Sequence, residues 1–136
     1  MLDSLRTPMT VVGRILLALM FVLAGIGKLT NIGGTAAYMG NAGLPALPAL
    51  AVLVGLIELL GGLAVASGFL ARWAALGLAV FTVVASLMFH RYWSLPADQQ
   101  MMQQLLFMKN MAAAGGLFVL AALGPGPASL GGKSHA

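Results

Sequence analysis

Residues 49–89 read ALAVLVGLIELLGGLAVASGFLARWAALGLAVFTVVASLMF and hold one carboxylate, Glu58, and one cation, Arg72. A hydrocarbon core ~30 Å thick needs about 20 apolar residues of helix at ~1.5 Å each. The stretch therefore reads as two membrane spans, about Ala49 to Phe69 and Trp73 to Phe89. Gly68 ends the first span, and Leu70-Ala71-Arg72 is so tight a turn that the two helices must be antiparallel neighbours.

Two further spans flank this hairpin. Thr7-Pro8 opens one that runs from about Met9 to Leu29, and no small-residue cleavage site follows it, so it reads as an uncleaved first span. Between it and the hairpin, TNIGGTAAYMGNAGLPALP (30–48) reads as a Gly/Pro/Asn loop with a short interfacial helix near Thr35 to Asn41. After the hairpin, His90-Arg91-Tyr92-Trp93 carries two aromatics and a cation where the chain leaves the hydrocarbon. A polar loop then leads into a fourth span, about Met102 to Leu123. The expectation is an all-α, up-down bundle in one transmembrane domain over 1–124, with spans about 9–29, 49–69, 73–93 and 102–123 and a flexible tail over 125–136.

Composition agrees. The 136 residues are 60% hydrophobic and 7% charged, with a mean hydropathy of +0.98, whereas a soluble domain carries about 25% charged residues. The chain has no Cys, which excludes disulfide exchange, thiolate metal sites and iron–sulfur clusters within it. Its two histidines, His90 and His135, cannot make a two-histidine haem site, because the second lies in the tail. The net charge of +4 is scattered over seven basic residues without a stripe, so nucleic acid is not a partner. The lipid bilayer is one, and redox subunits or a second copy are the others to expect. With four spans both termini share a side. Arg6, Arg14, Arg72 and Lys133 against Lys28, Arg91 and Lys109 place both on the cytoplasmic side of a bacterial inner membrane.

Ionisable groups at membrane depth cost about 2.5 kcal/mol or more each, so each needs an explanation. Arg14, Ala18, Phe21, Gly25 and Lys28 repeat at three-to-four spacing and share one helix stripe, as do Ala75, Ala79, Thr82, Ser86 and His90 on the third span. On the fourth, Lys109, Ala113 and Gly116 form the inward face. Counting residues from flush span ends brings Arg14 and Lys109 within roughly 6–8 Å of Glu58 along the membrane normal. Glu58 is thus expected between those two cations, while Lys28, at a helix end, is expected to snorkel to the headgroups.

Taken in order, Gly13-Arg14, Phe21-x-x-Ala24-Gly25-x-x-Lys28-Leu29, Gly55-x-x-Glu58-x-x-Gly61-Gly62, His90 with Trp93, and Phe107-x-Lys109-Asn110 resemble the DoxX family of small bacterial membrane proteins, from Gly13 to Gly124. The resemblance implies a four-helix membrane bundle. It also implies a link to the membrane subunit of a thiosulfate:quinone oxidoreductase, from which the family takes its name. The leading expectation is therefore a subunit or accessory of a quinone-linked oxidoreductase, with electrons supplied by a partner. Glu58, Lys109 and His90 would carry proton chemistry, and Arg14, Lys28, Trp93 and Asn110 would bind the quinone. The alternatives are a small transporter coupled through Glu58 and a non-catalytic scaffold assembled through glycine-rich faces.

Overall fold

The computed structural model describes residues 1–131; Lys133 and His135 lie outside the described residues, as does the last part of the expected tail. It is all-helical, with four helices long and apolar enough to cross a membrane. These are α1 (Leu2–Leu29), α3 (Pro48–Ser67), α4 (Ala71–Phe89) and α5 (Ala97–Leu123). A short α2 (Ile32–Asn41) interrupts the first loop and a single 3-10 turn (Tyr92–Ser94) precedes α5.

Local chemistry sets most boundaries. Asn31 caps α2 by accepting from the Gly34 N–H at 3.3 Å, and Pro48 occupies the first turn of α3, where its missing N–H costs nothing. Gly68 closes α3 in the left-handed region at φ 83°, a conformation that favours glycine. The first span begins earlier than Pro8 suggests. The helix runs from Leu2 straight through Pro8, which only withholds one bond from the preceding turn.

The chain alternates direction through the four long helices. α1 packs chiefly on α3 and α4 on α5, with α3 and α4 joining the two pairs, whereas α1 and α5 meet in few places. The α1–α3 contact is a backbone approach. A Cβ added to Gly25 would lie 2.6 Å from the Leu59 N and 2.8 Å from the Gly55 O, so only glycine fits there. Buried side chains fall into two clusters. One, built from Ala18, Phe21, Val65, Ala75, Leu78, Ala79 and Leu117, fills the half near the termini. The other, Ala36, Met39 and Ala51, sits under α2 at the opposite end. Large apolar side chains such as Leu16, Leu23, Leu60, Val80 and Val119 are exposed on the bundle's outside, as a lipid-facing surface requires.

Residues 125–131, expected within a flexible tail, lie back across the terminal end of the bundle. The Leu130 N–H donates to the Ser67 carbonyl at 3.0 Å, and Gly126 is buried so close to Thr10 that a Cβ there would sit 2.7 Å from its Oγ1.

Candidate functional site

Between the two buried clusters lies a cavity of ≈ 340 Å³ to which all five helices contribute. Its walls are mostly apolar, from Met20, Phe21, Val54, Phe81 and Met88 among others, and its polar groups converge from five helices: Lys28, Thr35 and Tyr38, Glu58, Thr82, and Lys109 with Asn110, and His90 just past the end of α4. Such a volume, with apolar walls and few polar groups, is the usual form of a small-molecule site.

The polar centre is an ion pair. Lys28 Nζ donates to Glu58 Oε2 at 2.9 Å, the one salt bridge among the described residues. The expected partners of Glu58, Arg14 and Lys109, are not the ones it has. The cause is axial register. Gly55 lies beside Leu29 and Lys28, and Gly68 beside Arg14, so α1 is not flush with α3 but displaced toward the terminal end. α1 therefore ends about two turns short of the start of α3, and α2 occupies the space above it. Lys28 is thereby held inside the bundle with Glu58 in reach and does not extend to the headgroups. Arg14 lies about 15 Å from Glu58 along α3, ten residues on, at the level of Gly68.

Thr82 is 3% exposed, lines the cavity, and its Oγ1 has no hydrogen-bond partner. A buried hydroxyl left unsatisfied costs about 1–3 kcal/mol, so Thr82 is a strained polar group in the cavity wall. Asn110 Nδ2 donates to Ser86 Oγ at 3.0 Å, which fixes the amide at the cavity wall. His90 Nδ1 lies 2.8 Å from Gln103 Oε1. This hydrogen bond to α5 fixes the orientation of the imidazole at the cavity rim. Lys109 lines the cavity but belongs to the exposed side of α5, whose buried positions are Ala114 and Leu117. The inward face of α5 is thus one residue round from the expected Lys109–Ala113–Gly116 row.

Two expected site residues stand apart. Trp93, 52% exposed, packs edge-to-face on Tyr92 and Phe107 with centroids 5.2 and 5.6 Å away and does not reach the cavity. Arg14 is buried at the terminal end, where Nη2 donates to the Ala128 carbonyl.

Residues 9–91 match the sequence profile of the DoxX family. Two Escherichia coli (strain K12) proteins are similar over most of their length. Inner membrane protein YqjF is 40% identical over 119 residues, covering 88% of this chain and 86% of YqjF. Inner membrane protein YphA is 30% identical over 126 residues, covering 92% and 89% respectively. The chain belongs to the DoxX family. No solved structure matches it. Four apolar helices and two relatives named for the inner membrane support a multi-pass inner-membrane protein.

The DoxX-family match ends at residue 91, yet the cavity also draws on α5 through Lys109 and Asn110. The site has an aromatic component that sequence reading missed. Tyr38 of α2 stacks on Phe89 of α4 with centroids 5.2 Å apart and 13° between planes. Both residues, with Met88, also line a second hollow of ≈ 240 Å³ that includes Asn41, Arg91 and Ser94. The stacked pair is thus the partition between the inner cavity and that outer hollow. The signal for it was present: Tyr38 is the one aromatic in the 30–48 loop.

Proposed function

We propose that this DoxX-family protein is a membrane subunit or accessory of a quinone-linked oxidoreductase, and that the cavity receives the head of a quinone or a related phenol. The observation that carries this reading is the Lys28–Glu58 pair, with Asn110, His90 and Lys109, in a cavity whose walls are mostly apolar. A quinone head is flat and apolar, with two carbonyl oxygens that only accept hydrogen bonds. The residues fit it: Lys28 is a donor to such oxygens, and Phe81, Phe89 and Met88 offer apolar faces.

A bound quinone would supply reversible uptake of two electrons and two protons. The chain's own residues would handle the protons. Glu58, hydrogen-bonded to Lys28, is a carboxylate able to hold a proton beside the ligand, and His90 and Lys109 stand at the loop end, where protons enter or leave. Electrons come from a partner subunit. On this reading both termini are cytoplasmic, with Arg6, Arg14, Arg72 and Lys133 of the sequence set against Lys28, Arg91 and Lys109, and the cavity lies toward the opposite side.

The test is chemical. Protein purified in mild detergent from a quinone-containing membrane is extracted with organic solvent and the extract analysed by chromatography and mass spectrometry. The reading expects a quinone at close to one per chain, and its loss from Glu58→Gln and from Phe81→Trp, which fills the cavity. Quinone content equal in wild type and Phe81→Trp would overturn it.

A further inference from the structure

Arg14 is 4% exposed, and both Nε and Nη1 are buried without an acceptor; Nη2 alone is engaged, by the Ala128 carbonyl. A guanidinium keeps its charge at any relevant pH, and an unpaired buried charge is expensive. No acidic side chain of the sequence can neutralise it. The chain has three. Asp3 lies eleven residues back on α1, about 16 Å along the axis; Glu58 is committed to Lys28; and Asp98 starts α5 at the opposite end. Among the described residues, then, no carboxylate supplies the counter-charge.

The surroundings point to its chemistry. Arg14 abuts Gly68, where a Cβ would collide with its Nη1, at the junction where α3 ends and α4 begins. The 20 residues of α3 span about 30 Å, so this junction sits at the level of a lipid headgroup layer. The positive end of the α4 dipole is at the same junction. Over it lies the strap 125–131, held by Leu130 N–H to Ser67 O at 3.0 Å and by the one bond from Arg14.

We propose that Arg14 is a recessed phosphate-binding group at the terminal end of the bundle, covered by the strap 125–131, and that its ligand is the phosphate of an anionic phospholipid. The planar guanidinium fork matches two phosphate oxygens, and a lipid headgroup arrives from the layer in which the junction lies. Strap and phosphate compete. The Ala128 carbonyl holds one donor while the strap is down, and a phosphate takes the fork when the strap lifts.

The full chain in neutral detergent is titrated with phosphatidylglycerol, with phosphatidylcholine, and separately with inorganic phosphate, following bound lipid by native mass spectrometry and the thermal midpoint. Phosphatidylglycerol is expected to bind and raise the midpoint. Arg14→Gln should weaken it roughly tenfold, and Arg14→Lys should recover part of the loss. Arg6→Gln, on the exposed start of α1, should cost less. Leu130→Pro, which removes the strap's N–H, should strengthen binding several-fold, and it decides the matter even if Arg14→Gln does not fold. A midpoint shift by inorganic phosphate that is lost in Arg14→Gln identifies the free ion as the source; a response to the lipid alone identifies the headgroup. Equal binding by wild type and Arg14→Gln, or no gain in Leu130→Pro, overturns the proposal.

Discussion

The two ends of the bundle bury a cation in opposite ways. At the loop end Lys28 has a carboxylate at 2.9 Å, faces a cavity and shares it with His90, Lys109 and Asn110. At the terminal end Arg14 is more deeply buried, has no carboxylate partner among the described residues, and is covered by the chain's own backbone. A neutral pair beside an orphaned hydroxyl suits an uncharged, hydrogen-bonding ligand; a lone guanidinium suits an anion. The difference follows from axial register, since α1, displaced along α3, carries one of its two charges to Glu58 and the other to the Gly68 turn.

The register itself is the most breakable feature. Gly25→Leu places a side chain where even a Cβ would be 2.6 Å from the Leu59 backbone, so α1 and α3 must separate and both ends lose their geometry. Overpacking against backbone is expected to cost about 3 kcal/mol or more, read as failure to fold or a collapsed thermal midpoint in detergent. Gly27→Ala, with nothing within 4 Å of its would-be Cβ, should be neutral or stabilise the helix by up to about 1 kcal/mol. Equal effects of the two would show that the close approach is not what sets the register.

The second contrast concerns the ion pair. Glu58→Gln leaves Lys28 without its partner; because the Lys28 side chain is 31% exposed, water screens part of the loss, and about 1–2 kcal/mol of destabilisation is expected. The double change Lys28→Met with Glu58→Leu should be milder than Glu58→Gln alone, since it leaves no uncompensated charge. A double-mutant cycle of Glu58 with Arg14 should show coupling near zero, which distinguishes the observed pairing from the one expected by counting residues.

Sequence reading identified the inward stripe of α1: Arg14, Ala18, Phe21 and Gly25 are its buried positions, and Lys28, the fifth expected member, is half-buried. On α4 Ala75, Ala79, Thr82 and Ser86 are likewise buried, with Ala71 and Leu78 added to the face and His90 left just past the helix end, because a 3.6-residue period is a property of one helix. The partner of Glu58 was not legible, because which residues face each other across two helices depends on their axial offset. That offset is set here by Gly25 against Gly55 and by a helix that continues through Pro8 to Leu2. On α5 the inward face was off by one residue, about 100° of rotation, because small residues at 112–116 give no apolar contrast to fix the phase. The strap was missed for a related reason: Gly, Pro and Ser carry no pattern that distinguishes a free tail from one bound through its backbone.

The smallest effect sharpens the comparison most. Thr82→Val keeps the side chain's shape and removes the orphaned hydroxyl, so without ligand it should stabilise the protein by about 1 kcal/mol while weakening any hydrogen-bonded ligand in the cavity. Destabilisation in ligand-free protein would mean that Thr82 has a partner after all.

The central claim is that the loop-end cavity, and not the terminal end, takes a quinone-like head. It is tested most directly by placing single cysteines in this cysteine-free chain, at Thr82 in the cavity and at Leu16 on the outer face of α1 near the terminal end, and measuring maleimide labelling rates with and without a short-chain quinone. The account predicts that the quinone slows labelling of Thr82→Cys several-fold and leaves Leu16→Cys unchanged. Equal slowing at both positions, or none at Thr82, would contradict it.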